Sequence, residues 1–143
     1  MTVLAGATAL TFVWLGMVLA ISFLEAPLKF RAPGVTLRIG LGIGRLVFRA
    51  LNVVETVLAV LIGTALTLAS ARGPALIGFA VAATMLTIQL LAVRPRLSRR
   101  SDAVLAAPPG GGEPARSRAH YAYVGLELVK VAALVVTGAA LLR

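Results

Sequence analysis

Residues 120–130 read HYAYVGLELVK, and the chain continues through VAALVVTGAALL to Arg143. Glu127 and Lys130 stand three residues apart inside an otherwise apolar run. Wound as a helix, the run carries both charges on one face. About 20 apolar residues are enough to cross a ~30 Å hydrocarbon layer. Charged groups at that depth face a protein interior or a wet cavity, because lipid does not solvate them. The stretch therefore predicts an all-α, integral membrane fold with charge turned inward.

Moving outward from it, three more apolar segments give a four-transmembrane-helix bundle in a single domain. The predicted helices cover approximately 3–25, 45–69, 74–93 and 120–142. The stretch 94–119 is read as a flexible basic cytoplasmic loop, with six Arg against Asp102 and Glu113 and a Pro-Pro-Gly-Gly-Gly centre. Such a composition buries no core of its own. Pro27 reads as the end of the first helix. Residues 31–44, with Gly40, Gly42 and Gly44, read as a re-entrant or interfacial turn, since closely spaced glycines weaken a helix. Gly16 with Ala20, and Gly78 with Ala82, are spaced for close helix approach. Trp14, in mid-segment, reads as packed against protein. Tyr121 and Tyr123 stand where an aromatic belt belongs.

Composition agrees with this class. The 143 residues are 59% hydrophobic and only 13% charged, whereas soluble domains are about a quarter charged. So short a chain has no room for a separate soluble domain. The net charge of +9 comes from Arg grouped between apolar segments, which membrane orientation explains without nucleic acid. No cysteine is present, and one His and three Met are too few ligands for a metal or haem site. No cofactor is expected.

Positive charge also orients the chain. Lys29, Arg31, Arg38 and Arg45 flank the first connection and six Arg the third, while the second holds Arg72 alone. The positive-inside rule puts 26–44 and 94–119 in the cytoplasm and both termini outside, in an inner membrane. Depth follows. Lys130 lies ~15 Å past His120 at 1.5 Å per residue, near the midplane. Glu25, Glu55, Gln89 and Glu127 fall in the cytoplasmic half. Glu25 and Lys29 are spaced to pair if the helix continues past Pro27. Arg45, Arg49, Asn52 and Thr56 recur every three or four residues as a polar stripe with Glu55 beside it.

Two arrangements fit this polar layer. In one, Lys130 pairs with Glu127 or Glu55, and Gln89 and Asn52 satisfy what remains. In the other, the layer is a vestibule that binds an ion, a proton or a lipid headgroup. The candidate binding residues are Glu25, Arg45, Arg49, Asn52, Glu55, Gln89, His120, Tyr123, Glu127 and Lys130.

Short motifs add a resemblance. Trp14-Leu15-Gly16, Glu25-Ala26-Pro27 with Phe30, Asn52 with Glu55, and the series His120, Tyr123, Glu127, Lys130 resemble uncharacterised small bacterial four-helix inner-membrane proteins. They are similar to relatives of transmembrane protein 205. The resemblance spans most of the chain outside the long loop and implies fold and location rather than activity.

The function expected is a small transporter, or a protein binding an ion, a proton or an amphiphile in the polar layer. The alternative is a non-enzymatic accessory or assembly subunit packed against a larger membrane partner or a second copy. Enzymatic activity is not expected: there is no nucleophile with a paired base and no metal-binding carboxylate pair. The expected surroundings are the bilayer and anionic lipids at the basic loops.

Overall fold

The computed structural model describes residues 2–108 and 118–143. These form four long helices and no strand. They are α1 (Val3–Arg31), α2 (Leu37–Leu68), α3 (Pro74–Ala106) and α4 (Arg118–Leu141). Each is long and apolar enough to cross a membrane. Thr2 caps α1 by accepting from Ala5 N at 3.2 Å, and Thr36 caps α2 by accepting from Ile39 N at 3.3 Å. These side-chain oxygens satisfy N–H groups that helix geometry leaves unpaired. The α2–α3 turn needs the left-handed region at Ser70 and Gly73, and Pro74 opens α3 where its missing N–H is harmless.

The helices run up and down as a bundle. α1 packs on α2 and α4, α4 packs along α3, and α2 meets α3 along a narrower seam. Both described termini and the α2–α3 turn lie at one end, here the terminal end. The other is the basic end. The solvation pattern is inverted relative to a water-soluble domain. Leu91 is 76% exposed and Leu68 is 74% exposed, whereas Lys130, Glu55 and Glu127 are enclosed. Apolar surface outside and charge inside is the arrangement that a lipid surround favours.

Three expected boundaries are corrected. α1 does not stop at Glu25. It passes through Pro27 to Arg31, because Leu19–Glu25 widens into a π-type turn in which Ala26 N–H reaches Ile21 O. α3 does not stop at Val93. It widens in the same way over Gln89–Val93, where Arg94 N–H reaches Gln89 O, and then runs past Pro95 to Ala106. A wide turn shifts the ladder by one residue, so a proline lacking its N–H can follow without breaking the helix. The basic stretch 94–106 is thus helix rather than flexible loop. Residues 109–117, read as that loop's flexible centre, lie outside the described residues.

The glycine-rich segment is also helix. α2 begins at Leu37 and includes Gly40, Gly42 and Gly44. Gly40 and Gly44, one turn apart, are buried under Phe30 and Lys29 of α1, and a Cβ at Gly44 would sit 2.9 Å from Lys29 Nζ. Gly42 faces open space. The spacing therefore makes a shallow trough on one face of a helix. At the basic end α2 also grips the extension of α3. Arg38 donates to Leu105 O at 2.6 Å and Ala107 O at 2.9 Å, and Arg45 pairs with Asp102 at 2.7 Å. The Arg38 bonds satisfy carbonyls that a helix C-terminus leaves open.

Small residues bring α3 and α4 together. Gly78 and Ala82 are buried, and a Cβ at Gly78 would meet the Ala133 carbonyl at 2.9 Å. Gly16 and Ala20 behave differently: they are exposed on α1 and pack against nothing inside the bundle.

Candidate functional site

All four helices place polar groups around Lys130. Its ammonium donates to Glu55 Oε1 and to Gln89 Oε1, the latter at 2.9 Å, and lies 3.1 Å from Glu127 Oε2. Trp14 Nε1 donates to the same Glu55 oxygen at 2.9 Å. Gln89 Nε2 donates to Glu127 Oε2, and Ser22 donates to Glu127 Oε1 at 2.8 Å. Glu127 thus has a donor or cation on each oxygen. Glu55 is different: its Oε2 is buried without a hydrogen-bond partner among the described residues.

The wide turns explain how two of these residues arrive. Ser22 lies within the widened turn of α1 and Gln89 opens that of α3. Widening rotates the helix face locally and turns a polar side chain inward. π-type turns recur at functional sites for this reason. On α4, Glu127 and Lys130 share one face through their three-residue spacing. On α2, Glu55 and Asn52 share another.

Next to this cluster, toward the basic end, lies a cavity of about 500 Å³. Phe23, Phe30, Phe48 and Leu41 give it apolar walls, and Lys29, Arg45, Arg94 and His120 add basic groups. Ser22, Tyr123 and Glu127 line it where it meets the cluster. Phe48 is its hub. Lys29 Nζ lies 5.4 Å from the Phe48 ring centroid, Tyr123 stacks edge-on at 5.8 Å, and Arg94 Nη1 donates to the Phe48 carbonyl at 2.9 Å. The Tyr123 hydroxyl is buried beside Ser22 and makes no hydrogen bond of full geometry among the described residues. A smaller cavity of about 270 Å³ adjoins it, with Arg45, Arg49 and Arg94 around it.

The expected site residues separate into three groups. Glu55, Gln89, Glu127 and Lys130 meet in one enclosed cluster, in which Lys130 pairs with both carboxylates rather than one. Arg45, His120 and Tyr123 line the cavity. Asn52 does not join the cluster. With its amide oxygen toward α3 it accepts from Arg94 Nε at 3.1 Å. Arg49 is exposed at the adjoining cavity, and Thr56 turns outward, so the expected polar stripe on α2 divides. Glu25 stays at the rim, 3.4 Å from Lys29. Tyr121 is exposed, but Tyr123 is buried at 9% exposure, so only the first suits an aromatic belt.

Sequence reading missed Ser22 and Arg94 as members of this region, and had Lys29 only as a partner for Glu25, a pair that forms. It placed Trp14 inside the protein without finding its acceptor. A signal for two of these existed: each helix-interior proline follows a stretch that holds a polar residue, Ser22 before Pro27 and Gln89 and Arg94 before Pro95.

Comparison with protein-family models, with curated proteins and with solved structures finds no match for this chain.

Proposed function

We propose that the chain is a multi-pass membrane protein of the small binding or carrier type, which takes an ion, a proton or a small amphiphile into the polar layer at the basic end of its bundle. One observation carries the reading: the cavity of about 500 Å³ ends on Glu127, itself a member of the buried charged cluster. A ligand in the cavity therefore meets a group whose charge is balanced deep inside the bundle. Small-ligand sites commonly occupy roughly 300–1,000 Å³. Intramembrane ionisable groups are functional candidates by default.

By the positive-inside rule the basic end faces the cytoplasm and both termini lie outside, in an inner membrane, with anionic lipid against the Arg-rich segments. The resemblance to relatives of transmembrane protein 205 supports that location. The terminal half holds a packed apolar core around Leu58, Ile62, Leu66 and Leu134, which argues against an open channel. Alternation between two packings, or binding from one side, fits it better.

The test is uptake into vesicles that contain only this protein. Accumulation of a fluorescent amphiphile or of protons above protein-free vesicles, reduced in Glu127→Gln, is the expected result. Uptake equal to that of protein-free vesicles, with no ligand retained by the purified protein, would refute the reading.

A second reading has its own observation. Gly16 and Ala20 form an exposed small-residue pair on α1, and such pairs allow close approach of another helix. This favours an accessory subunit, non-enzymatic, packed on a larger membrane partner. A partner that copurifies stoichiometrically from wild type, but not from Gly16→Leu, would favour it.

A further inference from the structure

We infer that the cavity at the basic end recognises a small amphiphile with an anionic oxygen head, a carboxylate or a phosphate on an acyl chain, and that Tyr123 and Lys29 hold the head. This rests on the reading of the cavity as a binding site and names its ligand class.

Three observations point the same way. The first is the poorly satisfied hydroxyl of Tyr123. It is buried, lines the cavity beside Ser22, and makes no hydrogen bond of full geometry among the described residues, since Ser22 donates to Glu127. A buried hydroxyl without such a bond loses the hydrogen bonds it would make in water. An oxygen acceptor in the cavity restores one.

The second is the charge balance of the walls. Lys29, Arg45 and Arg94 contribute three permanent cations against the single carboxylate of Glu127. That carboxylate is already taken by Lys130, Gln89 and Ser22. Arg45 is held by Asp102, and Arg94 by the Phe48 carbonyl. Among the described residues Lys29 has a single ion pair, with Glu25 at 3.4 Å, beside the faces of Phe30 and Phe48; that distance is long for a charge-assisted hydrogen bond. An entering oxyanion competes with Glu25 for it. A cationic head would instead meet these basic groups with no unengaged carboxylate to balance it.

The third is the construction of the wall. Gly40 and Gly44 have no Cβ where Phe30 and Lys29 lie, so the Phe30 ring and the Lys29 ammonium lie side by side against α2. The cavity wall thus combines polar groups gathered around Phe48, namely Lys29, Tyr123 and Arg94, with an apolar surface from Phe23, Phe30 and Leu41. An ion without a tail would leave that surface empty. A neutral lipid would leave the polar groups unsatisfied.

The experiment uses the full chain in nanodiscs of zwitterionic lipid, with the polyene fatty acid cis-parinaric acid as fluorescent probe. Its methyl ester and dodecyltrimethylammonium serve as uncharged and cationic counterparts. The expected result is one saturable site for the acid, at least tenfold weaker binding of the ester, and no displacement by the ammonium compound. Displacement by oleate but not by oleoyl lysophosphatidate would assign a carboxylate head, and the reverse a phosphate.

Tyr123→Phe and Lys29→Gln should each weaken the acid about tenfold or more, the usual effect of losing a hydrogen bond to a charged group. Tyr123→Phe should do so with its thermal midpoint little changed or raised, because it removes a buried hydroxyl that makes no hydrogen bond of full geometry. A merely structural tyrosine would not show that combination. Equal binding of acid and ester, or unaltered affinity in both folded variants, would overturn the head-group assignment and leave the cavity reading standing. Preference for the ammonium compound would overturn it in favour of a cationic ligand. Binding of none of the three would remove both.

Discussion

The two ends of this bundle are built from the same four helices on opposite principles. Toward the termini, α1 to α4 meet through Ala7, Leu58, Ile62, Leu66, Ala82 and Leu134, and the hydroxyls there turn back on their own helices. Thr11 donates to Ala7 O and Thr137 to Ala133 O, each at 2.8 Å. Those two hydroxyls need no partner on another helix. Toward the basic end the helices are joined by Lys130, Glu55, Glu127, Gln89, Trp14 and Ser22, and beyond these they part around a cavity. The difference shows how a small bundle reconciles rigidity with a site. Close packing holds one half, and a charged network joins the helices at the inner end of the cavity in the other.

The sharpest way to break this comparison is Lys130→Met. It leaves Glu55 and Glu127 facing each other without the ammonium. Removing one partner of a buried ion pair costs about 3–5 kcal/mol. A loss of that size is expected in chemical or thermal unfolding in nanodiscs, recovered in the triple variant with Glu55→Gln and Glu127→Gln. Glu127→Gln alone should cost far less, because Lys130 keeps Glu55 and an amide oxygen still accepts from Ser22. If Lys130→Met unfolds like wild type, the charged network does not hold the bundle together.

The terminal half has its own test. Gly78→Ala places a Cβ 2.9 Å from the Ala133 carbonyl and 3.1 Å from Thr137 N. Both are backbone atoms that cannot rotate away, so α3 and α4 must separate. Overpacking of this kind costs about 1–3 kcal/mol. The same unfolding assay should show that loss, with ligand binding at the far end retained. Gly42→Ala should act in the opposite sense. No atom lies within 4 Å of a Cβ there, and Ala gains up to about 1 kcal/mol over Gly inside a helix. A destabilised Gly42→Ala would show that this segment needs its flexibility.

Much of this was legible in the sequence, and the exceptions share a cause. The count and rough limits of the apolar segments follow from hydropathy, which is local. The depth of Glu55, Gln89, Glu127 and Lys130 follows from helix rise, also local, so their convergence was expected. The ends of α1 and α3 were misplaced because proline disfavours a helix locally, and the wide turns that absorb Pro27 and Pro95 give no clear sequence signal. The glycines at 40 and 44 read as breakers because their use is to receive Phe30 and Lys29 from another helix. Tyr123 was assigned to a belt with Tyr121, although residues two apart on a helix point to different sides.

By itself, then, the sequence determined that four apolar helices would form and that their polar residues would share one depth, because length, periodicity and rise belong to each helix alone. Only the tertiary structure decided which partners met: that Lys130 bridges both carboxylates, that Trp14 reaches Glu55, that Asn52 turns to Arg94, and that a cavity opens beside them. Those outcomes depend on how the helices rotate and approach one another. That is set by small residues at their contacts and by the shifted ladders in α1 and α3, which no single segment encodes.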